Sequence, residues 1–253
     1  MSKKVYLRFL ILLSGFIAMC NQLQAAELQF ESGVEQNLLI ELYTSQGCSS
    51  CPPAEEYLNT LKSKDDLWDK VIPMAFHVDY WDYIGWKDAY AHPSHTTRQQ
   101  AYARANRMST IYTPGFFANG SEWRRGFFNR RLPYSNSKSG VLSANIKDQE
   151  IVIKFKPYEP LDQALRFNIA LLGMGLATEI EAGERSGRHT KHDFVVLAKS
   201  KSRNLTSKNK VYEWRTQLPE NNTIKPSKYA VVVWVNKAIT PAPLQAIGSY
   251  LPE

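Results

Sequence analysis

Two cysteines separated by two residues, Cys48 and Cys51, stand between an apolar run and a helix start. Residues 37–43 (Asn-Leu-Leu-Ile-Glu-Leu-Tyr) have the length and composition of a buried strand. Thr44-Ser45-Gln46-Gly47 is turn-like. Pro52, Pro53, Ala54, Glu55 and Glu56 follow the second cysteine. Proline is tolerated in a first helical turn, and acids there complement the helix dipole. Ala54, Leu58 and Leu61 then recur at helical spacing. The pair is therefore expected at a strand–turn–helix junction, with the cysteines at the helix N-terminus. Free N–H groups and a partial positive charge at such a terminus stabilise a thiolate, pulling its pKa toward about 3.5–7.5. Cys48 is expected to be the exposed nucleophile. Cys51, one turn on and facing inward, is expected to resolve a mixed disulfide. Ser49 and Ser50 are placed to donate hydrogen bonds to the Cys48 sulfur.

The chain's beginning bears on how those thiols are used. Lys3, Lys4 and Arg8 precede an apolar run over 9–20, and Leu23-Gln24-Ala25 offers a cleavage site. That run is short for a bilayer span and reads as a signal peptide over 1–25. An uncleaved anchor is the alternative; a lipoprotein reading of Cys20 is disfavoured by Met19 just before it. Beyond this segment no stretch is apolar enough to span a membrane. The expected location is periplasmic or secreted, where disulfides persist. Cleavage removes Cys20 and leaves one cysteine pair, which closes too short a loop to stabilise the fold much. It also lowers the formal charge from +7 to +4, because three cations and no acids leave with the signal. The remaining cations are interspersed with acids, so nucleic-acid binding gains no support.

The rest of the 253 residues divides by texture. Residues 71–78 read as a second strand, running into the aromatic and acidic loop Asp79-Tyr80-Trp81-Asp82-Tyr83. Residues 96–108, free of glycine and proline, read as a helix. Thr113-Pro114 then leads to Phe116-Phe117-Ala118 and to Asn119-Gly120, a strong hairpin signal. Alternating strands and helices indicate an α/β unit over 36–134. A linker-like stretch over 133–140 follows. Six short strands are then expected, over 141–146, 150–156, 165–172, 194–199, 211–216 and 229–235. They suggest an all-β, sandwich-like domain over 140–253.

The cysteine junction with its flanks, Gly47-Cys48-Ser49-Ser50-Cys51-Pro52-Pro53, resembles the active-site turn of the thioredoxin fold. Thr113-Pro114 ahead of the Asn119-Gly120 hairpin resembles that fold's cis-proline loop. More narrowly, the chain is similar to an exported bacterial thioredoxin-like family of unassigned function, domain of unknown function 1223. The likeness is carried by the run from Glu41 through Ala54, by His77-Val78-Asp79-Tyr80-Trp81-Asp82 and by Tyr112-Thr113-Pro114. It extends through Asn119-Gly120 and the stretch from Glu184-Arg185-Ser186-Gly187-Arg188 to His192. The resemblance implies that Thr113 and Pro114 position an extended substrate beside the disulfide. It also directs attention to Glu41, since thioredoxins keep a proton-accepting acid in this strand, although Glu41 is offset by one residue. Gly47 and Gly115 depart from the common pattern, so substrate choice and redox potential do not carry over.

Several readings of these residues stay open. The cysteine pair fits thiol–disulfide exchange with an exported protein or a small thiol. It also fits a static disulfide in a binding or adaptor protein, or a soft-metal (copper) chaperone using the two thiolates with His77. His77 and Asp79, two apart at a strand end, share a face and are candidates for proton transfer. The alternative is a satisfied imidazole and a capping acid. Tyr80, Trp81, Tyr83, Trp86 and Tyr90 either line a substrate groove or cover a core. His189 and His192 read as surface histidines, with a metal site as the other option. No organic cofactor is implied.

Overall fold

A computed structural model describes residues 27–124 and 131–252. The expected signal peptide, 1–25, lies outside the described residues. The fold is mixed α/β, mostly strand with two α-helices, and its strands form three sheets, none closed. The first strand, β1 (Glu27–Glu31), has no counterpart in the sequence reading. Next come β2 (Leu38–Thr44), α1 (Pro52–Thr60), β3 (Val71–His77), α2 (Pro93–Ala105), β4 (Gly115–Ala118) and β5 (Ser121–Glu122). The second half holds β6 (Gly140–Lys147), β7 (Glu150–Pro157), β8 (Leu165–Met174), β9 (Leu176–Ile180), β10 (Arg188–His192), β11 (Val195–Lys201), β12 (Tyr212–Gln217), β13 (Lys228–Lys237) and β14 (Pro243–Tyr250). Nine strands stand where six were expected; β9, β10 and β14 were missed. The first two are short and rich in charged and hydroxylic residues, so they lack the apolar alternation that marks a strand.

Local chemistry explains the elements around the cysteines. Every residue of β2 and β3 is buried, which fits their near-continuous apolar runs and their parallel pairing. Helix α1 begins with Pro52 and Pro53 in its first turn, and Cys51 is its N-cap. Helix α2 starts three residues earlier than the sequence suggests: Pro93 opens it, and the His92 ring accepts from the Ser94 N–H. Asn119 and Gly120 both have positive φ, 47° and 82°, and close the β4–β5 hairpin in the geometry that Asn-Gly favours.

The eight-stranded sheet has the order β14-β13-β8-β11-β3-β2-β4-β5, so both halves of the chain contribute to it. The join is narrow. Val195 of β11 pairs with Ala75 of β3, and the Ala75 N–H donates to the Phe194 carbonyl. Pro73, two residues before Ala75, turns the same edge toward β11 but has no N–H to give. A four-stranded sheet, β1-β6-β7-β12, packs on the part of the large sheet formed by β8, β13 and β14. Leu142, Ile153 and Phe155 meet Phe167, Val231 and Val233 there. Strand β13 is buried on both faces. Val231, Val233 and Val235 enter this core, while Ala230, Val232 and Trp234 join the core around β2, β3 and α1. The β9–β10 hairpin forms the third sheet. Among the described residues no helix is long and apolar enough to cross a membrane.

Candidate functional site

The carboxyl ends of β2 and β3 lie side by side, with Thr44 opposite His77. The chain leaves β2 through Ser45, Gln46 and Gly47, and the Cys48 N–H donates to the Ser45 carbonyl. Cys48 and Cys51 are joined in a disulfide. The Cys51 carbonyl accepts from the N–H groups of Ala54 and Glu55, the first bonds of α1. The Ser50 hydroxyl lies 3.5 Å from the Cys48 sulfur, while Ser49 and Ser50 themselves are exposed.

The expected exposure of Cys48 is not found: Cys48 and Cys51 both have 0% of their surface exposed. The segment over 79–84 packs on the residue just before Cys48. A Cβ on Gly47 would come within 3.1 Å of Ile84 Cδ1 and 3.3 Å of Trp81 Cβ, so the loop presses on the cysteine turn itself. The glycine leaves room for that contact. Trp81 Nε1 donates to Thr113 Oγ1 at 2.7 Å, tying the same loop to the proline segment. The Thr113–Pro114 bond is cis. Because Gly115 pairs with Tyr43 across the β2–β4 ladder, Pro114 lies at the edge from which the cysteine turn departs. The other aromatics divide. Tyr80 and Trp86 are half-buried, Tyr90 is buried, and Tyr83 is exposed.

Beneath the disulfide turn lies a cluster of buried polar groups drawn from both halves. His77 Nδ1–H donates to Asp88 Oδ2 at 2.7 Å, and both side chains are fully buried. Burial opposes the imidazolium, but the charge and hydrogen bond of Asp88, with Glu55 behind, leave the His77 pKa raised. For Asp88 burial alone would raise the pKa. The His77 charge and the N–H groups of Gln46 and Tyr90 lower it instead. The pairing thus favours the charged form of each partner against the cost of burial. The ring of His192 stands 5.1 Å from that of His77, centre to centre. Burial, then the His77 charge, pushes the His192 pKa down to about 3, so it stays neutral. The Nε2 atoms of both histidines have no hydrogen-bond partner among the described residues.

Arg185 crosses from the β9–β10 connection into the same cluster. Its guanidinium donates to the Ser45 carbonyl at 3.4 Å and to Glu55 Oε2 at 3.5 Å. The other oxygen of Glu55 accepts from the Thr44 hydroxyl at 2.7 Å. Gln46 ties the rest together. Its N–H donates to Asp88, its side-chain NH₂ to Thr178, and its side-chain oxygen accepts from Trp86 Nε1. Lys62 on the turn after α1 pairs with Asp193 at 2.7 Å, and Asn59 of α1 donates to the Lys191 carbonyl. The helix that carries Cys51 is therefore clamped to the β9–β10 hairpin.

The sequence candidates fare differently. Cys48, Cys51, Thr113 and Pro114 converge at one edge. His77 lies below them, partnered by Asp88 rather than Asp79. Asp79 accepts from the Thr96 hydroxyl and so braces the first turn of α2. Glu41 is buried and pairs with Arg98 of α2 at 2.6 Å. Thr44 turns its side chain to α1, and strand alternation puts Glu41 on the opposite face. His192, expected on the surface, is 3% exposed; His189 is exposed as expected. Glu55, Asp88 and Arg185 were not singled out as site residues. Among the described residues no group of three or more His, Cys, Asp and Glu is placed to hold a metal ion.

These features define a mixed α/β protein with a disulfide-bonded Cys-x-x-Cys pair at a helix N-terminus. Residues 39–236 match the family described as "Protein of unknown function (DUF1223)", and the chain belongs to that family. The crystal structure of protein AGR_C_4864 from Agrobacterium tumefaciens is similar, with a TM-score of 0.57 and 22% identity. The match covers 87% of this chain and 96% of that one. HBP35 of Porphyromonas gingivalis is also similar, with a TM-score of 0.58, 14% identity and coverage of 87% and 76% respectively. At these identities the likeness is one of fold. No curated protein matches the chain.

Proposed function

We propose that this chain is an exported, thioredoxin-like thiol–disulfide oxidoreductase with a β-sandwich-like second part. The observation that carries the reading is the Cys48–Cys51 disulfide at the start of α1, on the edge that also holds cis Thr113–Pro114. A substrate thiolate attacks the Cys48 sulfur, the Cys48–Cys51 bond breaks, and Cys51 leaves as a thiolate that takes up a proton. A second substrate thiolate then attacks the substrate sulfur of the mixed disulfide and expels the Cys48 thiolate. The substrate dithiol loses two electrons and two protons; the cysteine pair gains both electrons and one proton, on Cys51, and the other proton passes to solvent while Cys48 remains a thiolate. The reverse sequence reduces a substrate disulfide. The helix N-terminus favours Cys48 as the leaving thiolate in the second step. Thr113 and Pro114 would align the extended substrate, an exported protein or a small thiol, after Trp81 withdraws.

The complete burial of Cys48 favours a second reading, a redox-inert disulfide in a binding protein. One measurement separates the two. The thiol fraction of the purified protein equilibrated against glutathione gives the reduction potential of the pair. A value between about −120 and −270 mV lies in the range of working exchange proteins. A value below about −300 mV marks a structural disulfide and sinks the exchange reading.

A further inference from the structure

A groove of about 590 Å³ lies between α2, the β8–β11 pair and the turn after β13. It shares no lining residue with the disulfide site. Its size is that of a small-molecule pocket. Arg98, Arg166, Lys199 and Lys201 line it, and no carboxylate does so among the described residues. Glu41 lies behind Arg98 and offsets that one charge, which leaves three cations facing a cleft. A concave wall of one sign concentrates its field on the space it encloses.

A further observation points into the groove. Trp234 lines it, is 1% exposed, and its Nε1 has no hydrogen-bond partner among the described residues. Buried donors without partners are rare enough to ask for an explanation. The Arg98 guanidinium stacks 4.7 Å above the Trp234 ring and is fixed there by Glu41 and the Tyr102 hydroxyl. A flat cation-backed floor is thus built before any ligand arrives. Among the described residues Lys199 is held only by a 3.4 Å bond to the Ser94 carbonyl. Burial, with Arg98 and Lys201 nearby, pushes its amine down to about 8, a cost that a seated anion would relieve.

We propose that this groove binds a small organic polyanion, a polycarboxylate or a phosphate ester. Its charged groups are taken by Arg166, Lys199 and Lys201, and its body lies over the Arg98–Trp234 stack. Arginine and lysine together suit either anion, since both offer oxygens to charge-assisted donors. The site is independent of the exchange chemistry and stands or falls apart from it.

Calorimetric titration of the full protein at low ionic strength, with citrate and separately with pyrophosphate, tests the assignment. Saturable one-to-one binding of either probe is expected, and the tighter one names the anion class. Lys199→Gln and Arg166→Gln should each weaken binding about tenfold, the scale of one charge-assisted contact. Lys199→Arg should retain it, and Lys156→Gln, on the other sheet, should leave it unchanged. Failure of both probes to saturate at millimolar concentration would overturn the proposal. So would binding that survives both glutamine substitutions. Arg166 is half-buried at the rim, so Arg166→Gln keeps the test available if Lys199→Gln does not fold.

Discussion

At the ends of β2 and β3 the interior is held by charge and hydrogen bonds. Glu55, His77, Asp88, Arg185 and His192 are all buried within one cluster. Between the four-stranded sheet and β8, β13 and β14 the interior is hydrocarbon, with Leu142, Ile153, Phe167 and Val233 typical of it. The two regions are equally dry and are built for different ends. An apolar core is stabilised by area removed from water and tolerates exchange among residues of similar volume. A buried ion pair adds little net stability over apolar residues of the same shape, yet removing one partner is costly. The polar cluster is therefore poorly explained as a stabiliser. It fixes where charge sits beneath the cysteine turn.

The comparison can be broken at several points. The largest effect is expected at the disulfide: Cys48→Ser should abolish exchange outright, and Cys51→Ser should trap substrates as mixed disulfides on non-reducing gels. An empty trap under exporting conditions would remove the chemical purpose assigned to the polar cluster. Arg185→Met comes next. It strands Glu55, so urea unfolding should show a loss of about 3–5 kcal/mol. The thiol fraction at fixed glutathione should change as well, because Arg185 also holds the Ser45 carbonyl that receives the Cys48 N–H. Ile153→Ala in the apolar core should cost about 2–5 kcal/mol and leave the thiol fraction unchanged. If both substitutions move the thiol fraction alike, the division of labour fails.

Acid should act on the polar side. The pKa values of His95 and His192 are lowered by burial to about 3, so their contribution is present above about 6.5 and is lost as pH falls toward 3. Each loses roughly 1.4 kcal/mol per pH unit in that window. The raised His77 works the other way, its contribution being full below about 6.5 and lost as pH rises through the folded value. Below 6.5 His77 thus has nothing more to add, and the melting temperature should fall from pH 6.5 to pH 5. A flat profile would show that the two neutral histidines are reached by water. The smallest effect is expected from Ser50→Ala, which removes a long 3.5 Å contact to sulfur and should shift the thiol fraction slightly at constant stability.

The sequence made the cysteine turn, α1, the Asn-Gly hairpin and the proline segment legible because each is written in adjacent residues. Pro52 and Pro53 announce a helix start, and Asn119-Gly120 announces a turn, wherever they occur. The polar cluster is written differently. Gln46 meets Asp88 42 residues away, and Arg185 meets Glu55 across 130. Nothing local in Glu55 distinguishes it from the exposed Glu56 beside it. The pairing of Glu41 is hidden for the same reason, since its partner Arg98 lies 57 residues on. His192 looked like a surface residue because β10 is Arg-His-Thr-Lys-His, yet its ring packs against those of His77 and Tyr90, more than 100 residues back in the chain.

The narrow seam between β3 and β11 has a consequence for the order in which the chain can fold as it emerges N-terminus first. Ala75 is made 120 residues before its partner Val195. Through that interval the outer edge of β3, an apolar strand, has no ladder to join. Such an edge invites pairing with other chains. Pro73 blunts it by withholding one donor, which lets a partly emerged chain wait for β11 with less risk of being captured by a neighbour.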